Sequence, residues 1–198
     1  MKLAVTLTTL AMSSNVNAIS VGTFGILDNW ATGASRLAGA GGDYAGVDAV
    51  SALIGDDLSD GAINLGFIDS FQLDFAGGIM NNAGADFVIF DGRFSSDNIY
   101  VEINGNEQLI GAGSFLDSGL DLVLSNSTLG FDLFGASLDL TDWGIASGSS
   151  IFSLNIRGAG QSDIMGVSGV SAIPVPAAVW LFGSGLIGLA GLARRKEA

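Results

Sequence analysis

Short runs of Phe, Ile, Val and Leu recur along most of the chain, and Gly, Asn, Ser and Asp separate each run from the next. The clearest alternation sets Ile99, Val101 and Ile103 against Tyr100 and Glu102, which predicts a strand with one face buried. Residues 151–156 repeat that pattern, and so do Phe71, Leu73 and Phe75 around Gln72 and Asp74. Further strands are predicted at 19–27, 62–67, 86–90, 108–110, 120–124, 131–134, 137–140 and 164–170. Asn104-Gly105, lying between two of these runs, predicts a tight hairpin turn. Residues 28–62 are rich in Gly, Ala and Asp with weak periodicity, and a short helix at 45–54 is the one element read there. No repeat of fixed period is visible, which argues against a propeller or solenoid. Many short strands without a strong helix predict an all-β fold, a β-sandwich or jelly roll.

The two ends break this pattern. Met1-Lys2 precedes ten apolar or weakly polar residues, Leu3 to Met12, and Val16-Asn17-Ala18 puts small residues where a signal peptidase cuts. A secretory signal peptide over residues 1–18, cleaved after Ala18, is the reading. At the other end an uncharged apolar run from Ala177 to Ala193 is closed by Arg194-Arg195-Lys196. At about 1.5 Å per residue such a helix reaches about 26 Å, near the lower limit for a hydrocarbon core of about 30 Å. A buried core helix is the alternative, but Gly183, Gly185, Gly188 and Gly191 would weaken it in water. The basic cluster places the C-terminus in the cytoplasm and the rest of the chain outside it.

The order of parts in the tail is more specific than a generic anchor. Pro174-Val175-Pro176-Ala177, one hydrophobic helix, then Arg194-Arg195 and the chain end resemble a PEP-CTERM sorting tail of the VPLPA-CTERM subclass. That resemblance covers about an eighth of the chain. It implies recognition by an exosortase, cleavage near the two prolines, and transfer from the inner membrane to the cell surface or an extracellular polymer matrix.

Between the two signals lie about 155 residues, which suits one domain over 19–172. Its charge is one-sided: nineteen acidic residues stand against Arg36, Arg93 and Arg157, a net of −16. Nucleic acid is excluded as a partner, because phosphate neutralisation needs clusters of Lys and Arg. The chain has neither Cys nor His. Disulfides, Ser-His-Asp and Cys-His nucleophilic schemes, and imidazole or thiolate zinc sites are therefore closed off. A glycosidase's carboxylate pair remains open, although the domain's glutamates are Glu102 and Glu107 alone. The expectation is a non-enzyme.

Several pieces of the interior carry a second resemblance. Residues 62–67, 82–91 and 100–103, Leu138-Asp139-Leu140-Thr141-Asp142-Trp143-Gly144 and residues 163–170 are together similar to the surface-protein type of galactose-binding-like β-sandwich. This implies a jelly roll and, in many members, a structural Ca²⁺. Read from the residues themselves, Asp86 and Asp91 flank the apolar run Phe87-Val88-Ile89-Phe90, and Asp163 opens the last strand. These three are the candidate Ca²⁺ ligands, with hydrogen-bonded turn residues as the alternative. Trp30 and Trp143 are the candidate stacking platforms for a sugar, with core packing as the alternative. The reading is an exported, non-catalytic component with a structural or adhesive role in the extracellular matrix. The alternative is a carbohydrate-binding module recognising matrix polysaccharide.

Overall fold

The computed structural model describes residues 19–24, 26–39, 42–43, 49–59, 63–93, 98–123, 130–160 and 162–170. The predicted signal peptide with Ala18, and the tail with Pro174, Val175, Pro176, Ala177, Arg194 and Arg195, lie outside them. No helix among the described residues is long and apolar enough to cross a membrane.

The fold is all-β, two antiparallel sheets packed face to face. In chain order the strands are β1 (Ile19–Ser20), β2 (Ile26–Trp30), β3 (Gly33–Ala38), β4 (Gly42–Asp43), β5 (Ile63–Leu65), β6 (Ser70–Met80) and β7 (Phe87–Arg93). They continue with β8 (Ile99–Ile103), β9 (Asn106–Ile110), β10 (Leu116–Val123), β11 (Gly130–Leu138), β12 (Ser150–Gly158) and β13 (Ser162–Val170). One short helix, α1 (Ala49–Ala52), falls inside the helix predicted from the sequence. One sheet runs β1-β2-β13-β7-β11-β10, with β5 on β13 and β4 on β5; the other runs β3-β6-β12-β8-β9.

The strands end where the turn residues stand. Asn104 and Gly105 both take positive φ, 52° and 80°, the backbone a two-residue hairpin turn demands between β8 and β9. The predicted strand at 131–134 and the first part of the one at 137–140 form one continuous β11, while Asp139 and Leu140 leave the strand to cap and open a 3₁₀ turn. Gly135 sits beneath the Phe24 ring rather than at a break. A Cβ there would come within 2.7 Å of Phe24 Cζ. In the stretch that the periodicity left blank, β3 forms the edge of the five-stranded sheet by pairing with β6.

Between the sheets the core gathers Phe71, Leu73 and Phe75 from β6, Phe87 and Ile89 from β7, Ile99, Val101 and Ile103 from β8, and Leu154 and Ile156 from β12. A second cluster covers the far face of the eight-stranded sheet. Val88, Phe90, Phe131, Leu133 and Met165 pack there against Val21, Leu27, Trp30 and Leu58. Phe90 is its centre, with the Trp30 ring stacked at 5.8 Å and Phe24 edge-on at 5.6 Å.

Candidate functional site

The three predicted cation ligands occupy different places. Asp86 is fully buried, and its carboxylate serves the backbone: Oδ1 accepts from Asn82 N at 2.7 Å and Oδ2 from Leu140 N at 2.9 Å. Its main chain is paired as well, donating to Leu138 O and accepting from Val170 N. Asp91 follows five residues along, about 17 Å at the rise of an extended strand. It stands in register with Phe134 and Ile164. Asp163 neighbours Ile164 and so points to the opposite face of the sheet from it, where its Oδ1 accepts from Asn64 Nδ2 at 2.8 Å. The structure thus does not gather the expected Asp86–Asp91–Asp163 shell. No group of three or more acidic residues suited to hold a metal occurs among the described residues.

The two tryptophans also part company. Trp143 is 4% exposed, tilted against Phe87, and donates Nε1–H to Val101 O at 3.2 Å. It belongs to a 3₁₀ turn, Leu140–Trp143, capped by Asp139, whose Oδ1 accepts from Thr141 N at 2.8 Å. Hydrogen bonds from Thr141 hold the Asp139 carboxyl below its ordinary 3.8. Trp143 is core, and offers no ring face for a sugar to stack upon.

Trp30 is 7% exposed, yet it borders a cleft of about 380 Å³ together with Asp28, Thr32, Ile54, Gly55 and Asp56. That volume lies at the lower end of ordinary small-ligand sites, about 300–1,000 Å³. The walls are fixed by backbone contacts. Gly55 N donates to Ala31 O at 3.0 Å, laying the 53–56 loop against the link between β2 and β3. Thr32 Oγ1 accepts from Ala76 N and donates to Asp74 O, tying that link to the five-stranded sheet. Beside these paired groups, Trp30 Nε1 is buried without a hydrogen-bond partner among the described residues. A buried donor left unmade costs about 1–3 kcal/mol, and such orphans in native proteins are uncommon. Asp28 and Asp56 place two carboxyl-bearing side chains on this open cleft, and carboxylates accept hydrogen bonds from hydroxyl groups.

Trp30 was legible as a candidate; Asp28, Thr32 and Asp56 were not. They come from parts of the Gly-rich stretch that no periodicity organises, and only the fold brings them together. Its neighbour Asp57 is a turn residue, accepting from Ser59 N and Oγ.

No protein-family model matches the chain, and no curated protein does. A solved structure to which it is similar is exo-β-1,3-galactanase from Phanerochaete chrysosporium with galactose. The match is 14% identical, has a TM-score of 0.39, and covers 69% of this chain and 27% of that one. The chain therefore spans about a quarter of the galactanase's length. A likeness this distant assigns neither a fold nor an activity.

Proposed function

We propose that the protein is an exported, non-catalytic surface component, processed by signal peptidase after Ala18 and sorted by an exosortase acting on Pro174-Val175-Pro176-Ala177. Its sandwich, a jelly roll of the galactose-binding-like kind, is displayed at the cell surface or in the extracellular matrix in a structural or adhesive role. The observation that carries this is the pair of apolar signals bracketing one strongly anionic domain. Its composition supports the non-catalytic reading, because a chain without His or Cys lacks the usual nucleophile–base pairs. Replacing Pro174 and Pro176 with Ala is expected to leave unprocessed protein in the inner membrane. Normal release to the surface would defeat the sorting reading.

A second reading, recognition of matrix polysaccharide, is favoured by the orphaned Trp30 Nε1 beside the 380 Å³ cleft. A glycan hydroxyl would complete that donor. Trp30→Phe keeps an aromatic ring beside Phe90 while removing the N–H together with the second ring of the indole, so the fold should persist at a reduced midpoint while affinity for a bound glycan falls about tenfold. A glycan array compares the two proteins; equal binding by wild type and variant removes the cleft from consideration.

A further inference from the structure

The outer face of the five-stranded sheet carries one continuous polar row. The register sets Ser35 opposite Gln72, Gln72 opposite Asn155, Asn155 opposite Glu102, and Glu102 opposite Glu107. Both glutamates of the domain thus meet side by side at the β8–β9 hairpin. Like charges directly opposite one another destabilise a strand pair. Only one member of this pair is compensated. Arg157 holds Glu107 with three contacts of 2.9–3.1 Å and lies 4.0 Å above the Tyr100 ring. Glu102, half-buried, has among the described residues a single long contact, from Asn155 Nδ2 at 3.4 Å. Its carboxylate lines a hollow of about 100 Å³, shared with Leu37, Ser70, Tyr100, Glu107 and Arg157.

The size of that hollow decides what it can take. At about 100 Å³ it falls well below the roughly 300–1,000 Å³ of ordinary small-ligand sites, too little to enclose a sugar ring but room for one ammonium group on its carbon. With Arg157 paired to Glu107, the carboxylate of Glu102 leaves the lining one net negative charge, which suits a single cation. Flanking amides and hydroxyls on Gln72, Asn155, Ser35 and Ser70 suit a chain dense in hydroxyl groups, repeating across strands about 4.8 Å apart. We infer that this face binds a polysaccharide bearing free primary amines, with one ammonium seated against Glu102 in the hollow. The inference rests on the reading that the sandwich meets matrix polysaccharide, but uses a different face from the Trp30 cleft.

Calorimetry with the full-length protein in neutral detergent tests it, using a glucosamine hexamer, its N-acetylated counterpart and hexalysine at low salt. The glucosamine hexamer is expected to bind at least about tenfold more tightly than either comparator. Glu102→Gln should lose about tenfold of that affinity with its unfolding midpoint undiminished, whereas Asp121→Asn, removing an exposed charge on the other sheet, should lose none. Equal binding of the N-acetylated hexamer, tighter binding of hexalysine, or an unchanged affinity in Glu102→Gln overturns the inference. Trp30→Phe separates the two sites: retained glucosamine binding upholds this face, and its loss places the amine in the cleft instead.

Discussion

On β7 of the eight-stranded sheet, Phe87 and Ile89 pack between the sheets while Val88 and Phe90 point outward, clustered with Leu27, Trp30 and Phe131 of the same sheet and with Val21 and Leu58. On β8 of the five-stranded sheet, Ile99, Val101 and Ile103 pack inward but Tyr100 and Glu102 meet water. One sheet is therefore covered on both faces, its outer one by Val21, Phe24 and Leu58 from segments between the strands. The other leaves one face to solvent, where Leu37 and Leu109 stand exposed among polar residues. Burial on both sides concentrates stability in the first. It leaves the second free to carry hydrogen-bonding groups that contribute little to folding, which is where ligand chemistry can be placed.

The largest effects should break or uphold that contrast directly. Phe71→Ala empties the core between the sheets, and a large-to-small change at a fully buried Phe costs about 3–5 kcal/mol. If the outer cluster is a true second core, Phe90→Ala costs as much, because it removes the ring on which Trp30 and Phe24 pack. Urea denaturation of both variants measures this. A loss below about 1 kcal/mol for Phe90→Ala, against the full cost for Phe71→Ala, would reduce the outer layer to a loose cover.

This contrast was half visible in the sequence. Alternation found β6, β8 and β12 because each of these strands has one wet side, and period two is the mark of a half-buried strand. The unbroken run Phe87-Val88-Ile89-Phe90 was read as a strand, yet nothing in it says what covers the second face. Its covers, Val21, Phe24 and Leu58, lie about 30 to 65 residues upstream, partly in the stretch with no periodicity. β3 escaped notice because Gly33-Ala34-Ser35-Arg36-Leu37-Ala38 alternates too weakly and owes its extended form to pairing with β6. Carboxylates were legible as chemistry but not as partners. Asp86 reads the same in sequence whether it meets an ion or two backbone N–H groups, and only the closure of the sandwich decides.

Asp86 also offers the middle-sized test, since it stands where the two sheets join. Asn82 follows β6 of one sheet and Leu140 follows β11 of the other, and both donate to its carboxylate. Asp86→Ala leaves one buried donor, Leu140 N, and one part-buried donor, Asn82 N, without this acceptor, the buried one costing about 1–3 kcal/mol. Asp86→Asn retains one acceptor and should cost about half as much. Chemical denaturation of the pair is expected to show that order. Equal, negligible losses would mean that water replaces the carboxylate, and that the sheets are held together by their core alone.

The smallest effect compares like with like, because each sheet has one pair of acidic residues in direct opposition. Asp121 faces Asp132 across β10 and β11, and Glu102 faces Glu107 across β8 and β9. Neutralising one member relieves repulsion worth about 0.2–1 kcal/mol, so Asp121→Asn and Glu102→Gln should both raise the unfolding midpoint. The gain shrinks as salt screens the exposed charges. Both gains should sit at the low end of that range, since Arg157 holds Glu107 and the register sets Arg93 opposite Asp132. A residue whose removal stabilises the fold is one the fold does not need, and such residues concentrate where stability yields to function. Should Glu102→Gln instead lower the midpoint, the Asn155 contact is a structural bond after all, and the bare sheet would be a solvent face with no ligand to explain.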